Sequence, residues 1–353
     1  MSRFLSRHVR GLEPYVPGEQ PLDRQYIKLN TNECPYPPAP GIVRLLAEHT
    51  GQEFALYPDP EAKELRGAIA RRYGLAAEKV FVGNGSDEVL AFLCMAFFDG
   101  GDPIYFPDPS YGFYEVYANL FGLKARPIPL AKDFSIKEED YLELDGHILL
   151  ANPNAPTGLA LSRCKIEGIL KGNPHHLVVV DEAYVDFAGE DVTSLPLLSD
   201  YDNLMIVGTF SKSRSLAGLR LGYAFSRPEH IAALERIKYS FHPYNVNRFT
   251  QQAGVIAVED DAYMGHVLEK IIATRDRTSL RLRELGCRVL PSSTNFLFMA
   301  HPSLTGRELY QKLREKGILV RCFEHPRTLD FVRVSIGTDE EIKAFLRAVE
   351  ETL

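Results

Sequence analysis

Short apolar segments alternate with helical ones between residues 80 and 225, and this order constrains the fold more than any other feature of the chain. Each segment is rich in β-branched or aromatic residues and is bounded by Gly, Pro or Asp, as is typical of buried strands. The six segments are "VFVG" (80–83), "PIYF" (103–106), "HILLA" (147–151), "HLVVVD" (176–181), "LMIVGTF" (204–210) and "RLGYAF" (220–225). Because helical candidates such as "SDEVLAFLCMAFF" lie between several of them, we predict an α/β fold whose mainly parallel sheet is covered on both faces.

The pattern changes on either side of this region. Residues 1–35 are rich in Pro, Gly and charge, which predicts an extended N-terminal arm, and residues 36–245 are expected to form one large domain. After about residue 245 a long helical segment with one break precedes three strand-like segments and a closing helix. Residues 246–353 are therefore expected to form a smaller α+β domain.

The composition argues against several classes of protein. A net charge of -7 and a sequence pI near 5.9 give no basic surface for nucleic acid or an anionic membrane. No apolar run is long enough to span a bilayer, and the N-terminal residues lack the apolar core of a signal peptide. Five cysteines without CxxC spacing favour a reducing cytoplasm, and ten histidines without HExxH spacing predict no metal site.

Ligands in open α/β sheets bind beyond the carboxyl ends of the strands, so the loops after the predicted strands are candidate sites. In "VFVGNGSDEVL" the glycines Gly83 and Gly85 precede Ser86 and Asp87 at the start of a helix. Free amides and the positive end of the helix dipole suit a phosphate at this position, although Ser86 is equally suited to be an ordinary N-cap. The loop is neither a Walker loop nor a full GxGxxG motif.

Three further loops carry groups that suit a ligand. Asp181 ends a fully apolar strand, and a buried carboxylate needs a cationic partner. In "ANPNAPTG" the amide of Asn154 could face a ligand or serve turn formation. Tyr111, just past the "PIYF" strand, could stack on a planar ligand or pack at an interface.

Lys212 lies just after the "LMIVGTF" strand, in "TFSKSRSLAGLRLGY", where it must either reach solvent or be held for chemistry. The loops together supply this lysine, a buried acid, a phosphate site, an amide loop and an aromatic side chain. A phosphorylated pyridine aldehyde uses all five, with the lysine in a Schiff base and Asp181 on the ring nitrogen. Ser211 and Arg220 are close enough in sequence to reach the same phosphate.

The lysine segment resembles that of the fold-type I, pyridoxal 5'-phosphate (PLP)-dependent aminotransferases, and the resemblance runs from "LEPYVPG" to "VRVSIGTDEE". Six further motifs occur in the order found in the histidinol-phosphate aminotransferase family: "KLNTNECPYPP", "YPDP", "GNGSDEVL", "DPSYGFY", "DEAYVDF" and "RVSIGT". The resemblance implies transamination of L-histidinol phosphate with 2-oxoglutarate, in histidine biosynthesis.

The resemblance also implies roles for individual residues. Lys212 would form the Schiff base with PLP and Asp181 would pair with the pyridine nitrogen. Tyr184 would hydrogen-bond the ring oxygen, and Tyr111 would stack on the ring. The PLP phosphate would be held by the amides of Gly85, Ser86 and Asp87 together with Ser211 and Arg220, with Thr209 beside them.

On the substrate side, the resemblance assigns Arg321 and Arg333 to the anionic end of the substrate. Tyr15 and Asn32 match positions that close over the substrate. Tyr57 of "YPDP" would reach the phosphate in the neighbouring subunit's site, which implies a homodimer with shared active sites.

One position departs from the family pattern. The family loop usually reads NPNNPTG, and its asparagine before "PTG" contacts the ring oxygen, whereas this chain has Ala155 there. Either Asn154 turns to take that contact or Tyr184 holds the oxygen with less help, and we predict the former.

Other functions fit the same framework. A threonine-phosphate decarboxylase would use the same lysine and also bind a phosphate, and an aromatic amino-acid aminotransferase could use Arg333 for a carboxylate. A cofactor-binding regulator would need a DNA-binding extension, and a 35-residue arm on an acidic chain offers none.

Overall fold

The computed structural model describes residues 2–48 and 51–352, which form strands and helices around two sheets and a strand pair. The strands are β1 (Ile27–Lys28), β2 (Val80–Gly83), β3 (Pro103–Asp108), β4 (Lys124–Pro129), β5 (His147–Ala151), β6 (Val178–Asp181), β7 (Leu204–Thr209), β8 (Gly222–Phe225), β9 (Arg288–Val289), β10 (Phe296–Ala300), β11 (Ile318–Leu319), β12 (Arg321–Cys322) and β13 (Phe331–Ser335). The α-helices are α1 (Arg7–Arg10), α2 (Pro40–Glu48), α3 (Lys63–Tyr73), α4 (Ser86–Phe97), α5 (Phe113–Phe121), α6 (Arg163–Gly172), α7 (Pro228–Phe241), α8 (Arg248–Glu259), α9 (Asp261–Glu284), α10 (Gly306–Glu315) and α11 (Asp339–Glu350).

The large sheet has seven strands in the order β2-β8-β7-β6-β5-β3-β4. β8 pairs antiparallel with both of its neighbours, and every other pair is parallel. The predicted mainly parallel sheet is therefore confirmed. The edge strand β4 was not predicted, because its sequence "KARPIP" is polar and contains two prolines, which only an edge strand accommodates.

Helices cover both faces of this sheet, as the alternating sequence predicts. Along β6 the side chains of Val178 and Val180 pack in one buried cluster with residues of α3, α6 and α8. The intervening Val179 packs in a second cluster with residues of α4, α5 and α7. Burial on both faces explains why the central strands are apolar throughout rather than alternating.

The C-terminal part of the chain forms an antiparallel sheet in the order β12-β13-β10-β9, with α9, α10 and α11 beside it. The predicted break in the long helical segment lies between α8 and α9, where the side chain of Asp260 caps α9 by accepting from the Tyr263 amide. β1 pairs in parallel with β11, so residues 27–28 join the arm to the C-terminal part. The domain boundaries at residues 35 and 245 stay a prediction.

Within the described ranges no helix combines the length and the apolar character that a bilayer crossing requires. The same ranges contain no cluster of three or more His, Cys, Asp or Glu side chains placed to hold a metal ion. All five cysteines, which lie in the described part of the chain, are free thiols.

Candidate active site

Two adjoining cavities lie where the loops after the central strands meet the C-terminal part of the chain. The first has a volume of about 340 Å³ and the second about 350 Å³. They share a wall formed by Thr31, Tyr111, Ala155, Tyr184 and Lys212. Lys212 therefore lies where it can reach the contents of both cavities.

Lys212 follows the end of β7 by three residues and is half-buried. Its Nζ donates to the backbone oxygen of Thr31 at 3.3 Å and lies 6.0 Å from the centre of the Tyr184 ring. Burial lowers the pKa of the Lys212 ammonium to about 8, and the nearby Arg333 charge adds to this effect. At pH 7 a group with this pKa is unprotonated in about 10% of molecules, against about 0.03% for an ordinary lysine.

Asp181 is the last residue of β6 and is buried. Its Oδ2 accepts from the Tyr114 hydroxyl at 3.2 Å and its Oδ1 from the Ala183 amide at 3.1 Å. Burial raises the pKa of the Asp181 carboxyl to about 6 in spite of these two bonds. No Lys, Arg or His in the described ranges forms an ion pair with it, so this carboxylate is available to a cationic group of a ligand.

The start of α4 forms the opposite end of the first cavity. The amides of Ser86 and Asp87 have no hydrogen-bond acceptor in the described part of the chain, as expected for the first turn of a helix. Gly85 precedes them with φ +86°, and a Cβ there would lie 2.5 Å from Nη2 of Arg220. Gly222 of β8 is constrained by neighbouring backbone, because a Cβ there would lie 2.3 Å from the Ser86 amide nitrogen.

Two hydroxyls and a guanidinium complete this end of the cavity. The Thr209 hydroxyl donates to Oγ of Ser211 at 3.0 Å and accepts from the Ser211 amide at 3.1 Å. Arg220 Nη2 contacts Oδ2 of Asp87 at 2.8 Å. All of these side chains line the cavity, so an anion bound here meets free amides, hydroxyls and a cation together.

Two tyrosines from different loops face the shared wall. The Tyr111 hydroxyl donates to Oδ1 of Asp87 at 2.7 Å. The Tyr184 hydroxyl accepts from Nδ2 of Asn32 at 2.9 Å, and burial raises the pKa of this phenol. The phenol is therefore neutral at physiological pH and can still donate one hydrogen bond.

Two arginines lie at one end of the second cavity. Arg321 of β12 and Arg333 of β13 are directly opposite each other across the antiparallel pair. Neither forms an ion pair with a carboxylate of the described chain, and Arg333 Nε has no hydrogen-bond partner there. Burial lowers the pKa of Arg333 from its ordinary value, but a guanidinium remains charged. Two neighbouring charges without carboxylates make this end of the cavity suited to an anion.

The N-terminal arm covers the second cavity. Arg321 donates to the backbone oxygens of Val16 and Pro17 at 2.9 and 3.1 Å, which holds the arm in place. The Tyr15 ring stacks on Phe113 with centroids 4.3 Å apart. Asn32, with φ +55°, is buried and also lines this cavity.

Three of the predicted site residues line neither cavity. Gly85 is one of them, and its amide donates to the backbone oxygen of Gly83 at 2.9 Å, which leaves only the Ser86 and Asp87 amides of the three predicted ones free. The Asn154 amide accepts from Ser110 Oγ at 2.6 Å and donates to Pro109 O and Thr157 Oγ1, and the residue lines neither cavity. The structure thus does not support the predicted turn of Asn154 toward a ligand, whereas Ala155 lines both cavities. Tyr57 is 75% exposed, stacks on Tyr244 and lines neither cavity of its own chain.

Several residues of the site were not predicted from the sequence. Tyr114 contacts Asp181, and its spacing of three from Tyr111 in a helical segment was the available signal. Thr31 receives the Lys212 hydrogen bond through its backbone, which carries no side-chain signal at all. Glu33 lines the first cavity and forms an ion pair with Lys28 at 2.8 Å.

Comparison with known proteins agrees with this geometry. The family described as aminotransferase class I and II matches residues 24–349 of the chain.

The chain belongs to this family of aminotransferases.

Its relatives include the histidinol-phosphate aminotransferase of Brachyspira hyodysenteriae, 48% identical over 99% of each chain. Histidinol-phosphate aminotransferase 2 of Dechloromonas aromatica is 50% identical, again over 99% of each chain. Among solved structures, the Sinorhizobium meliloti histidinol-phosphate aminotransferase in complex with PLP matches with a TM-score of 0.90 at 24% identity. It covers 99% of this aminotransferase and 98% of its own chain, and confirms the fold.

Proposed function

We propose that this aminotransferase uses PLP to transfer the amino group of L-histidinol phosphate to 2-oxoglutarate, yielding imidazole acetol phosphate and glutamate in histidine biosynthesis. The observation that carries the choice of substrate is the set of histidinol-phosphate aminotransferases that are 48–50% identical over almost the whole chain. The two arginines at the end of the second cavity support it, because both substrates present an anionic group there.

The residues of the first cavity fit PLP. Asp181 is a buried carboxylate without a cationic partner in the described ranges, and it would hold the ring nitrogen. Lys212 would bond the aldehyde carbon, Tyr184 would donate to the ring oxygen and Tyr111 would cover the ring. The free amides at the start of α4, with Ser211, Thr209 and Arg220, would hold the phosphate. When bound, PLP supplies an electron sink for the bond that breaks at the substrate α-carbon.

Different side chains serve proton transfer and substrate binding. Lys212 has a depressed pKa near 8, so its free amine can take the α-proton at physiological pH. Asp181 is fixed by two hydrogen bonds, and its charge would favour a proton on the ring nitrogen of bound PLP. Arg333 and Arg321, which line the second cavity, would bind the anionic end of the substrate, and Tyr15 and the arm would cover it.

A half-reaction tests this proposal. Purified protein loaded with PLP is mixed with L-histidinol phosphate in the absence of a keto acid, and the cofactor absorbance is followed. We expect stoichiometric conversion to the pyridoxamine form, which 2-oxoglutarate then reverses. Release of carbon dioxide from threonine phosphate, without conversion of the cofactor, would replace the proposal with a lyase. Conversion by phenylalanine alone would point to an aromatic amino-acid aminotransferase.

The depressed pKa of Lys212 predicts how reconstitution depends on pH. Capture of an aldehyde requires the unprotonated amine, whose fraction rises as the pH rises through about 8. We expect the rate at which cofactor-free protein takes up PLP to increase from pH 6.5 to 8 and to level off above pH 9. Stopped-flow absorbance measures this rate. A rate that does not change between pH 6.5 and 9 would contradict the assignment of Lys212 as the residue that captures PLP.

The Arg333→Gln variant should shift the midpoint of this pH dependence upward, because the Arg333 charge helps to lower the pKa of Lys212.

Arg333→Gln is also expected to weaken the preference of the enzyme for L-histidinol phosphate over L-histidinol, which lacks the phosphate. The ratio of kcat/KM for L-histidinol phosphate over L-histidinol should fall about 10- to 100-fold, since a charge-assisted contact is lost. Arg307→Gln removes an exposed arginine of α10 and is the matched control, with no expected change. Retention of the wild-type ratio in Arg333→Gln would assign the phosphate to other residues.

We also propose that the enzyme is a homodimer in which Tyr57 reaches the neighbouring site. The exposure of this ring, and its absence from both cavities of its own chain, support the proposal. A monomeric mass in sedimentation of the PLP-loaded protein would contradict it. The cytoplasmic location, inferred from the cysteine pattern, stays a prediction.

A further inference from the structure

Three tyrosines spaced by three residues donate their hydroxyl protons to Asp87 or Asp181, two residues that line the first cavity. Tyr111 precedes α5, and Tyr114 and Tyr117 lie within it. Tyr111 donates to the Asp87 carboxylate, and Tyr117 donates to the Asp87 backbone oxygen at 2.9 Å. Only Tyr114 donates to Asp181, at 3.2 Å. One helix face thus links the phosphate end of the cavity with the acid at its other end.

The position of the Tyr114 hydroxyl is tightly defined. The residue is 0% exposed, and its ring packs edge-on against Tyr111 with centroids 5.6 Å apart, beside Phe106. Asp181 is the one hydrogen-bond partner of this hydroxyl in the described part of the chain. Because leaving a buried hydroxyl without an acceptor is unfavourable, the phenol and the carboxylate hold each other in place.

The Asp181 carboxylate keeps capacity for a ligand. Each oxygen accepts one protein hydrogen bond, and a carboxylate can accept about four. The charged groups that act on it from neighbouring elements are Asp87 of α4 and Lys212 of the loop after β7, and the Tyr184 phenol is also near. Asp87 disfavours the charged carboxylate, while Lys212 and the Tyr114 hydroxyl favour it.

We propose that Tyr114 is a positioning residue for the reaction, whose hydroxyl orients the Asp181 carboxylate and favours its charged form. A carboxylate without this donor could rotate and would retain its proton to higher pH. It would then hold a protonated ring nitrogen less well. The inference rests on the proposed function for its role in the reaction, but its effect on Asp181 is a property of the cofactor-free chain.

The test compares Tyr114→Phe with Tyr117→Phe, a matched control that loses a hydroxyl one turn along the same helix. Carboxyl-labelled aspartate and carbon-13 NMR give the titration midpoint of Asp181 in the cofactor-free protein, with Asp181→Asn to assign its signal. We expect Tyr114→Phe to raise the midpoint by about one pH unit, because a hydrogen bond to the charged form is lost. Tyr117→Phe should leave it unchanged. In the PLP-loaded protein, the pH dependence of the cofactor absorbance should shift in Tyr114→Phe alone.

Equal midpoints in the wild type and Tyr114→Phe would overturn the inference and leave Tyr114 a packing residue. If Tyr114→Phe does not fold, 3-fluorotyrosine at position 114 keeps the ring and makes the hydroxyl a stronger donor. The midpoint should then move downward, and an unchanged value would again overturn the inference. Failure of the wild type to bind PLP would contradict the proposed function while leaving the midpoint comparison valid.

Discussion

Lys212→Ala is expected to slow the half-reaction with L-histidinol phosphate by about 10⁴-fold, at the upper end of what a positioned general base contributes. The substitution removes the amine that lies in the shared wall of the two cavities and has a pKa near 8. No other lysine lines either cavity in the described ranges, so no neighbour can replace it. Single-turnover absorbance at saturating PLP measures the rate.

Two further measurements separate chemistry from folding. Lys171→Ala removes an exposed lysine of α6 and should leave the rate unchanged. The fold of Lys212→Ala should persist, because the side chain makes a single hydrogen bond to the part of the chain that the structure describes. A small primary amine added to the buffer should restore part of the activity. A rate for Lys212→Ala within tenfold of the wild type would contradict the assignment of Lys212 as the general base.

Asp181→Asn is expected to slow the same half-reaction by about 10²- to 10⁴-fold. The amide is nearly isosteric with the carboxylate but carries no charge to keep a proton on the ring nitrogen. Asp181→Glu retains the charge, so its activity should lie between those of Asp181→Asn and the wild type. Equal rates for Asp181→Asn and the wild type would show that the ring nitrogen does not depend on this acid.

Asp181→Asn, although it slows the reaction, should increase the free energy of unfolding of the cofactor-free protein. The pKa of Asp181 is about 6 in the folded chain against an ordinary value of 3.8. Between these values the folded state holds the proton more tightly, so the contribution of this group to stability is present below pH 4 and lost as the pH rises through 6. The difference of about two pH units corresponds to at most about 3 kcal/mol above pH 6.

Cofactor-free Asp181→Asn should therefore be more stable than the wild type at pH 8, by about 1–3 kcal/mol, with the gain disappearing near pH 4. Urea unfolding at both pH values measures the difference. Glu182, whose pKa burial raises to about 7, is present in both proteins and cancels in the comparison. A constant difference at the two pH values would show that the effect does not arise from ionisation of Asp181.

Most of the large sheet could be predicted from sequence, because buried central strands leave a local signal. The segments 80–83 and 147–151 match β2 and β5 residue for residue. β4 and β1 could not be found in this way, because "KARPIP" is polar and "IK" is too short to show a pattern. β4 and β1 are strands because they pair with β3 and β11, and those pairings form only when the chain folds.

The site shows the same division. Residue type and strand position alone placed Lys212 and Asp181 at the carboxyl ends of β7 and β6, where both line the first cavity. The direction of the Asn154 amide could not be read from "NPNAPTG", since it is set by Ser110, 44 residues away in the chain, whose hydroxyl donates to Oδ1 of Asn154. The opposition of Arg321 and Arg333 likewise follows from strand register, which no local pattern specifies.

By itself the sequence determined the fold class and the family, and it predicted which lysine and acid react. These depend on local patterns of burial and on motifs that lie within single loops. Only the tertiary structure decided which hydroxyl supports Asp181, which arginines face each other and how far burial moves the pKa of Lys212. Those properties arise from side chains that come together across different elements, because hydrogen bonding and desolvation act between neighbours in space.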